Sequence, residues 1–260
     1  GTGASAIQIV PELQKRVAKL TVFQRTPGWV IPRNDRDVTE LERKLLRAMP
    51  QLQKLSRGWQ FVYRDGVMLK VMHHRSIRKV MQAISKAYMR RTIDDPALRE
   101  KLTPDFEIGC KRILITSVWY PALNQPNVDV ETSPITEITA NGVRIADGTL
   151  HEVDALVCAT GFHVVDPPAG AIFHGRDGRS LAETWGISPR AYRGVTTHNF
   201  PNLFRIGSIG TGTGHMSHVM QIESAVHYVM EALRTMDERG LSAVEVSYDA
   251  QEQYAARLHG

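Results

Sequence analysis

Gly1-Thr-Gly-Ala-Ser-Ala6 is the stretch whose residue types and spacing could do chemistry. Its G-x-G-x-x-A spacing suits a turn that holds a phosphate group. Gly1 allows a tight turn out of a strand, Gly3 lets the backbone approach a pyrophosphate, and Ala6 lets a helix pack closely on a sheet. A helix that starts there aims its free N–H groups and its positive dipole end at the phosphates. The same spacing arises in plain glycine-rich turns, so the flanking sequence has to decide.

After the turn, Ala6, Ile9, Val10, Leu13 and Val17 recur at helical spacing. Pro11 falls inside this pattern and predicts a kink or a restart of the helix. Leu20 to Gln24 then reads as a short buried strand. Turn, helix and strand follow the βαβ order. At the end of that strand an NAD site wants an acid for the ribose 2′-hydroxyl, whereas Arg accommodates a 2′-phosphate. Arg25 and Thr26 stand there. A guanidinium and a hydroxyl suit a phosphate dianion, so the reading is NADP(H). The motif also needs a strand before Gly1. The chain starts at Gly1 without an initiator Met, and it reads as a piece of a longer protein that lacks this strand.

The elements that must position the site follow from composition and pattern. The chain of 260 residues is 42% hydrophobic and 23% charged, with a net charge of +5, ordinary for a soluble globular protein. No apolar run is long enough to span a bilayer, and no signal peptide is visible. Residues 36–101 hold 16 Lys/Arg against 7 Asp/Glu, which reads as a solvated helical face, without the interleaved aromatics of a nucleic-acid platform. This stretch predicts two to four helices, one around Ser76–Met89, with Pro50 and Pro96 ending helices. It is the helical insertion, about residues 36–105, of a nucleotide-binding fold. Cys110 and Cys158 are far apart and in no metal-ligand spacing, and buried free thiols are expected. A reducing, cytoplasmic setting fits them. His73 and His74 are adjacent, so on a helix they point apart and make no metal pair.

Residues 27–35 read as a loop, 111–116 as a short strand, and Val128–Val130 as a brief apolar segment. Residues 134–158 predict a β-meander with turns at Asn141-Gly142 and Asp147-Gly148, ending in a buried strand from Val153 to Cys158. Residues 163–200 are loop-rich, with a turn at Gly175–Gly178. Leu203–Ile206 is a further strand signal, running into the glycine-rich stretch 207–214. A helix from about His215 to Met236 follows, with an apolar face through Val219, Ile222, Val226, Val229 and Leu233. There is no G-x-S-x-G, H-E-x-x-H, Walker sequence or redox cysteine pair, which removes Ser-hydrolase, zincin, P-loop and disulfide-reductase chemistry.

GTGASAIQIVPE, VFQRTPGWVIPR, KRILITSVWYPALNQPNV, DALVCATGF and FPNLFRIGSIGTGTGH, in this order, resemble the flavin-containing monooxygenases, and most closely their Baeyer–Villiger branch. The resemblance covers nearly the whole chain. It implies an α/β architecture: a Rossmann-like NADP-binding domain (residues 1–158) and the C-terminal part of a Rossmann-like FAD-binding domain (residues 159–260). It implies FAD and NADP(H) as cofactors. It also implies insertion of one oxygen atom from O₂ into a ketone by way of a C4a-peroxyflavin, with no metal.

Residue by residue, the resemblance places Gly1, Thr2, Gly3, Ala4, Ser5 and Ala6 at the NADP pyrophosphate. It places Arg25 and Thr26 at the 2′-phosphate, with Lys111 as a second cation. Arg112 would reach the flavin and nicotinamide as the catalytic residue. Ala159, Thr160 and Gly161 would form the crossing to the FAD domain, and Gly214 and His215 would lie near the flavin ring. The FAD phosphate motif and the Baeyer–Villiger fingerprint would lie upstream of Gly1. N- or S-oxygenation of a soft heteroatom, and a non-catalytic NADP-binding remnant, are the alternatives. No nucleic-acid or membrane partner is indicated.

Overall fold

The computed structural model describes residues 1–33, 35–161, 168–186, 188–207 and 217–259. The chain divides into two compact units, Gly1–Gly58 with Gly66–Gly161, and Trp59–Asp65 with Phe162–Gly260. It is a mixed α/β fold with parallel strand pairs, of the Rossmann type.

In the first unit, α1 (Ala6–Gln14) leads into β1 (Leu20–Phe23). The helix is continuous across Pro11, which removes one N–H donor without ending it. A strand of two residues follows, β2 (Val30–Ile31), inside the stretch read from sequence as a loop. Flanking Pro and Asn hid it. Then come four helices, α2 (Glu40–Ala48), α3 (Pro50–His73), α4 (Arg75–Thr92) and α5 (Pro96–Lys101). A capping box between Thr39 and Glu42 starts α2. Pro50 and Pro96 open helices rather than close them, each at the first turn, where the missing N–H costs nothing.

The strand expected over 111–116 contracts to β3 (Leu114–Ile115), which pairs parallel with β2. After α6 (Trp119–Leu123), β4 (Val128–Glu131) pairs parallel with β1, Leu20 opposite Val128. Asn127 fixes the entry to this pair, since its Nδ2 donates to the Gln14 carbonyl at 3.0 Å and to the Val17 carbonyl at 2.9 Å. The core packs Ala6, Ile7 and Val10 of α1 against Val22, Val30 and Leu114 of the strands, closed by Met89 of α4 and Tyr120 of α6. Ser85 of α4 donates to the Val30 carbonyl at 2.7 Å, which ties the helical insertion to β2.

An antiparallel meander of β5 (Ile135–Thr139), β6 (Gly142–Ile145) and β7 (Leu150–Glu152) follows. Its first turn is Ala140-Asn141, one residue earlier than the Asn-Gly signal. Gly142 opens β6, where an added Cβ would sit 2.2 Å from the His151 carbonyl oxygen. Glycine is needed here for close backbone approach, not for positive φ. Gly142→Ala is expected to destabilise the fold by about 1–3 kcal/mol, the usual cost of overpacking. An unchanged denaturation midpoint would contradict this.

The buried strand expected over Val153–Cys158 does not form: the meander ends at Glu152, and Leu156 and Val157 are exposed. A strand exists only as half of a pair, and among the described residues no strand pairs with this segment. Both cysteines are free, as expected, but exposed rather than buried. Cys158 lies in that same unpaired segment.

The second unit contains a 3-10 helix at Pro168–Ala171, then α7 (Leu181–Trp185), α8 (His218–Arg239) and α9 (Tyr248–His259). Its small core is Leu181, Trp185 and Phe200. Residues 203–206 form no strand; the Arg205 N–H donates instead to the Val195 carbonyl at 2.9 Å. Helix α8 starts later than expected and buries only Ala225, while Val219, Val226 and Leu233 stay exposed. Periodicity says which face of a helix is apolar, not what covers it.

Candidate functional site

The Gly1–Ala6 turn is built from its backbone. The Ile7 N–H donates to the Gly3 carbonyl at 3.1 Å, and the Ile9 N–H to the Ser5 carbonyl at 3.0 Å. Ser5 places no side-chain cap on α1. Among the described residues, the N–H groups of Gly3, Ala4, Ser5 and Ala6 have no acceptor. These are the orphan donors of a helix start, together with the positive end of its dipole. A Cβ added at Gly3 would meet nothing within 4 Å, so the turn opens onto free space. Ala6 is 1% exposed and anchors α1 in the core. The Gln8 amide closes the turn by donating to the Ala4 carbonyl at 2.7 Å. Such a cradle has the donors and the room for an anionic oxygen cluster.

The end of β1 is held to this turn by two bonds, the Gly1 amino group donating to the Phe23 carbonyl at 3.0 Å and the Thr2 hydroxyl donating to the Thr26 carbonyl at 3.0 Å. Arg25 beside it is exposed and forms no ion pair among the described residues, so its guanidinium is available to an incoming anion. On the turn's other side, an added Cβ at Gly1 would lie 2.2 Å from the Ala159 carbonyl oxygen and 3.9 Å from the Thr160 nitrogen. Ala159 and Thr160 therefore lie alongside Gly1, with Gly161 next in the chain. Gly161 has φ +113°, a conformation that side chains rarely adopt.

Lys111 and Arg112 are both exposed, just before β3. The Lys111 ammonium lies 4.6 Å from the centre of the Phe106 ring. Arg112 has no hydrogen bond or ion pair among the described residues. Among the described residues, no hydrogen bond or ion pair joins either side chain to the turn. Gly214 and His215 lie outside the described residues.

Two residues of this region were not singled out from sequence. Gly28 fits between layers: an added Cβ would be 2.8 Å from Leu114 Cδ1 and 3.9 Å from the Thr2 carbonyl oxygen. Trp29, next to it, is buried and donates from its indole to the Phe106 carbonyl at 2.8 Å. The available signal was their place directly after Arg25-Thr26-Pro27, which reads as an ordinary turn. Among the described residues no cluster of His, Cys, Asp or Glu could hold a metal ion, and no helix is long and apolar enough to cross a membrane.

No family model matches the chain. It is 46% identical over 255 residues to a Baeyer-Villiger monooxygenase of Pseudomonas aeruginosa, covering 98% of this chain and 48% of that protein. It is 47% identical over 240 residues to a Baeyer-Villiger monooxygenase of Streptomyces coelicolor, covering 92% of this chain and 46% of that protein. Among solved structures, open cyclohexanone monooxygenase superposes with a TM-score of 0.81 at 27% identity, over 98% of this chain and 57% of that one. Oxidized steroid monooxygenase bound to NADP gives a TM-score of 0.80 at 27% identity, over 98% of this chain and 55% of that one. The chain spans about half the length of the curated relatives it matches. In sequence and in fold, the chain matches members of the Baeyer–Villiger and flavin monooxygenase family over almost its whole length.

Proposed function

We propose that the chain is the NADP-binding and flavin-facing part of an NADPH- and FAD-dependent monooxygenase that inserts one oxygen atom of O₂ into a ketone. The observation that carries this reading is the turn. Four amides without an acceptor among the described residues lie at a turn with room beside Gly3, tied through Thr2 to the segment that bears Arg25, which has no ion pair among the described residues. The amides suit pyrophosphate oxygens, and the guanidinium suits a 2′-phosphate. Residues 1–158 act as the NADP-binding domain, with the insertion over 36–105, and residues 159–260 contribute to the FAD-binding domain.

When bound, NADPH and FAD supply the reducing equivalents and the activation of oxygen. The chain's own residues hold and orient them. Gly3 to Ala6 fix the pyrophosphate, Arg25 and Thr26 with Lys111 select the 2′-phosphate, and Arg112 presents positive charge where negative charge develops. The substrate is a small ketone, and the free thiols Cys110 and Cys158 suit a reducing cytoplasm.

The test uses the complete gene product with FAD, NADPH, O₂, a cyclic ketone and a thioether, with products identified by mass spectrometry. Lactone formation is expected. Sulfoxide without lactone would move the reading to heteroatom oxygenation. Absence of both products would overturn it.

A further inference from the structure

We propose that Trp29 is a positioning residue for Lys111, acting through Phe106, and so helps to set the preference for a 2′-phosphorylated nucleotide. This rests on the reading above that Lys111 meets the 2′-phosphate.

Trp29 is 4% exposed and grips both ends of the segment that carries Lys111 and Arg112. Its indole Nε1–H donates to the Phe106 carbonyl at 2.8 Å. Its own carbonyl accepts from the Leu114 N–H at 2.9 Å. Between these two points residues 110–112 are exposed, and Gly109 has φ +101°. Glu107, earlier in the segment, pairs with Arg78 at 3.1 Å. Ile108, with no exposure, and Ile113 pack with Trp29 in a small core of their own, separate from the main one.

The Phe106 ring lies 4.6 Å from the Lys111 ammonium, a cation–π distance. Where Phe106 sits therefore decides where the ammonium sits. Trp29 also follows Gly28, which lies between the Thr2 carbonyl and Leu114. One path therefore runs from the Gly1–Ala6 turn through the Thr2–Thr26 bond and along the chain to Trp29, then to Phe106 and Lys111. Among the described residues, the indole hydrogen bond is the one polar link that crosses from the β1–β2 loop to Phe106.

A purely packing role for Trp29 predicts weaker binding of any nucleotide. A positioning role predicts a loss confined to nucleotides with a 2′-phosphate. The experiment measures calorimetric dissociation constants of 2′,5′-ADP and 5′-AMP for the complete gene product, its Trp29→Phe and Lys111→Met variants, and the double variant. Trp29→Phe keeps an aromatic ring, gives up part of the indole volume and removes the donor.

Each single variant is expected to weaken 2′,5′-ADP by about 3- to 10-fold, the scale of one hydrogen bond, with 5′-AMP unchanged. The double variant should be no weaker than Lys111→Met, because the two act as one unit. Equal loss for both nucleotides in Trp29→Phe, or multiplying losses in the double variant, would overturn the proposal. No change in Lys111→Met would overturn the reading of Lys111 itself, and this proposal with it. If Trp29→Phe does not fold, Phe106→Leu decides on the same criteria, since it removes the ring under Lys111 and keeps the carbonyl.

Discussion

Arg112→Ala in the complete gene product is expected to lower the oxygenation rate by about 100-fold or more while leaving NADPH binding within a few-fold. The magnitude is that of removing one preorganised donor from a site where negative charge develops, roughly 10²–10³ in rate. The structure supplies the motive. Arg112 stands at the approach to β3, exposed and with no carboxylate or carbonyl partner among the described residues. An arginine that stabilised the fold would be expected to have such a partner. The conservative variant separates charge from geometry: Arg112→Lys keeps the charge and loses the planar fork. Partial recovery would assign the role to charge, and no recovery would assign it to the fork. Unchanged product formation in Arg112→Ala would remove Arg112 from the mechanism.

Arg25→Ala is expected to raise the Michaelis constant for NADPH by roughly 10- to 100-fold and that for NADH by little. Charge-assisted hydrogen bonds to phosphate are about twice as strong as neutral ones, and about 1.5–3 kcal/mol corresponds to that range. The prediction depends on position. Arg25 stands two residues after β1, and the Thr2–Thr26 bond holds this strand end beside the Gly1–Ala6 turn. Comparable effects on NADPH and NADH would mean that Arg25 holds the strand end and not the 2′-phosphate. Arg25 and Lys111 are expected to contribute separately, since among the described residues no contact joins them.

The sequence by itself determined the local features. The turn at Gly1–Ala6, the helix and strand behind it, the helices between 36 and 101, the meander (its first turn to within one residue) and the family resemblance were all legible. Each rests on neighbours within a few residues or on motifs in register. Position along the chain also put Arg25 and Thr26 at the end of β1 next to the turn, and the Thr2–Thr26 bond shows that place.

Only the tertiary structure decided what depends on a partner distant in sequence. Residues 30–31 are a strand because Leu114 and Ile115 lie beside them. Residues 153–158 are equally strand-like in composition and form none, because among the described residues nothing pairs with them. Pro50 and Pro96 mark boundaries from either side, and only the built helices show that they open rather than close. Gly142 and Gly28 are glycines because another backbone or a leucine side chain would occupy the space of a Cβ. The path from Thr2 through Trp29 to Lys111 joins residues up to 109 positions apart. Hydrogen bonds and packing across such separations depend on chain closure, which short-range pattern does not encode.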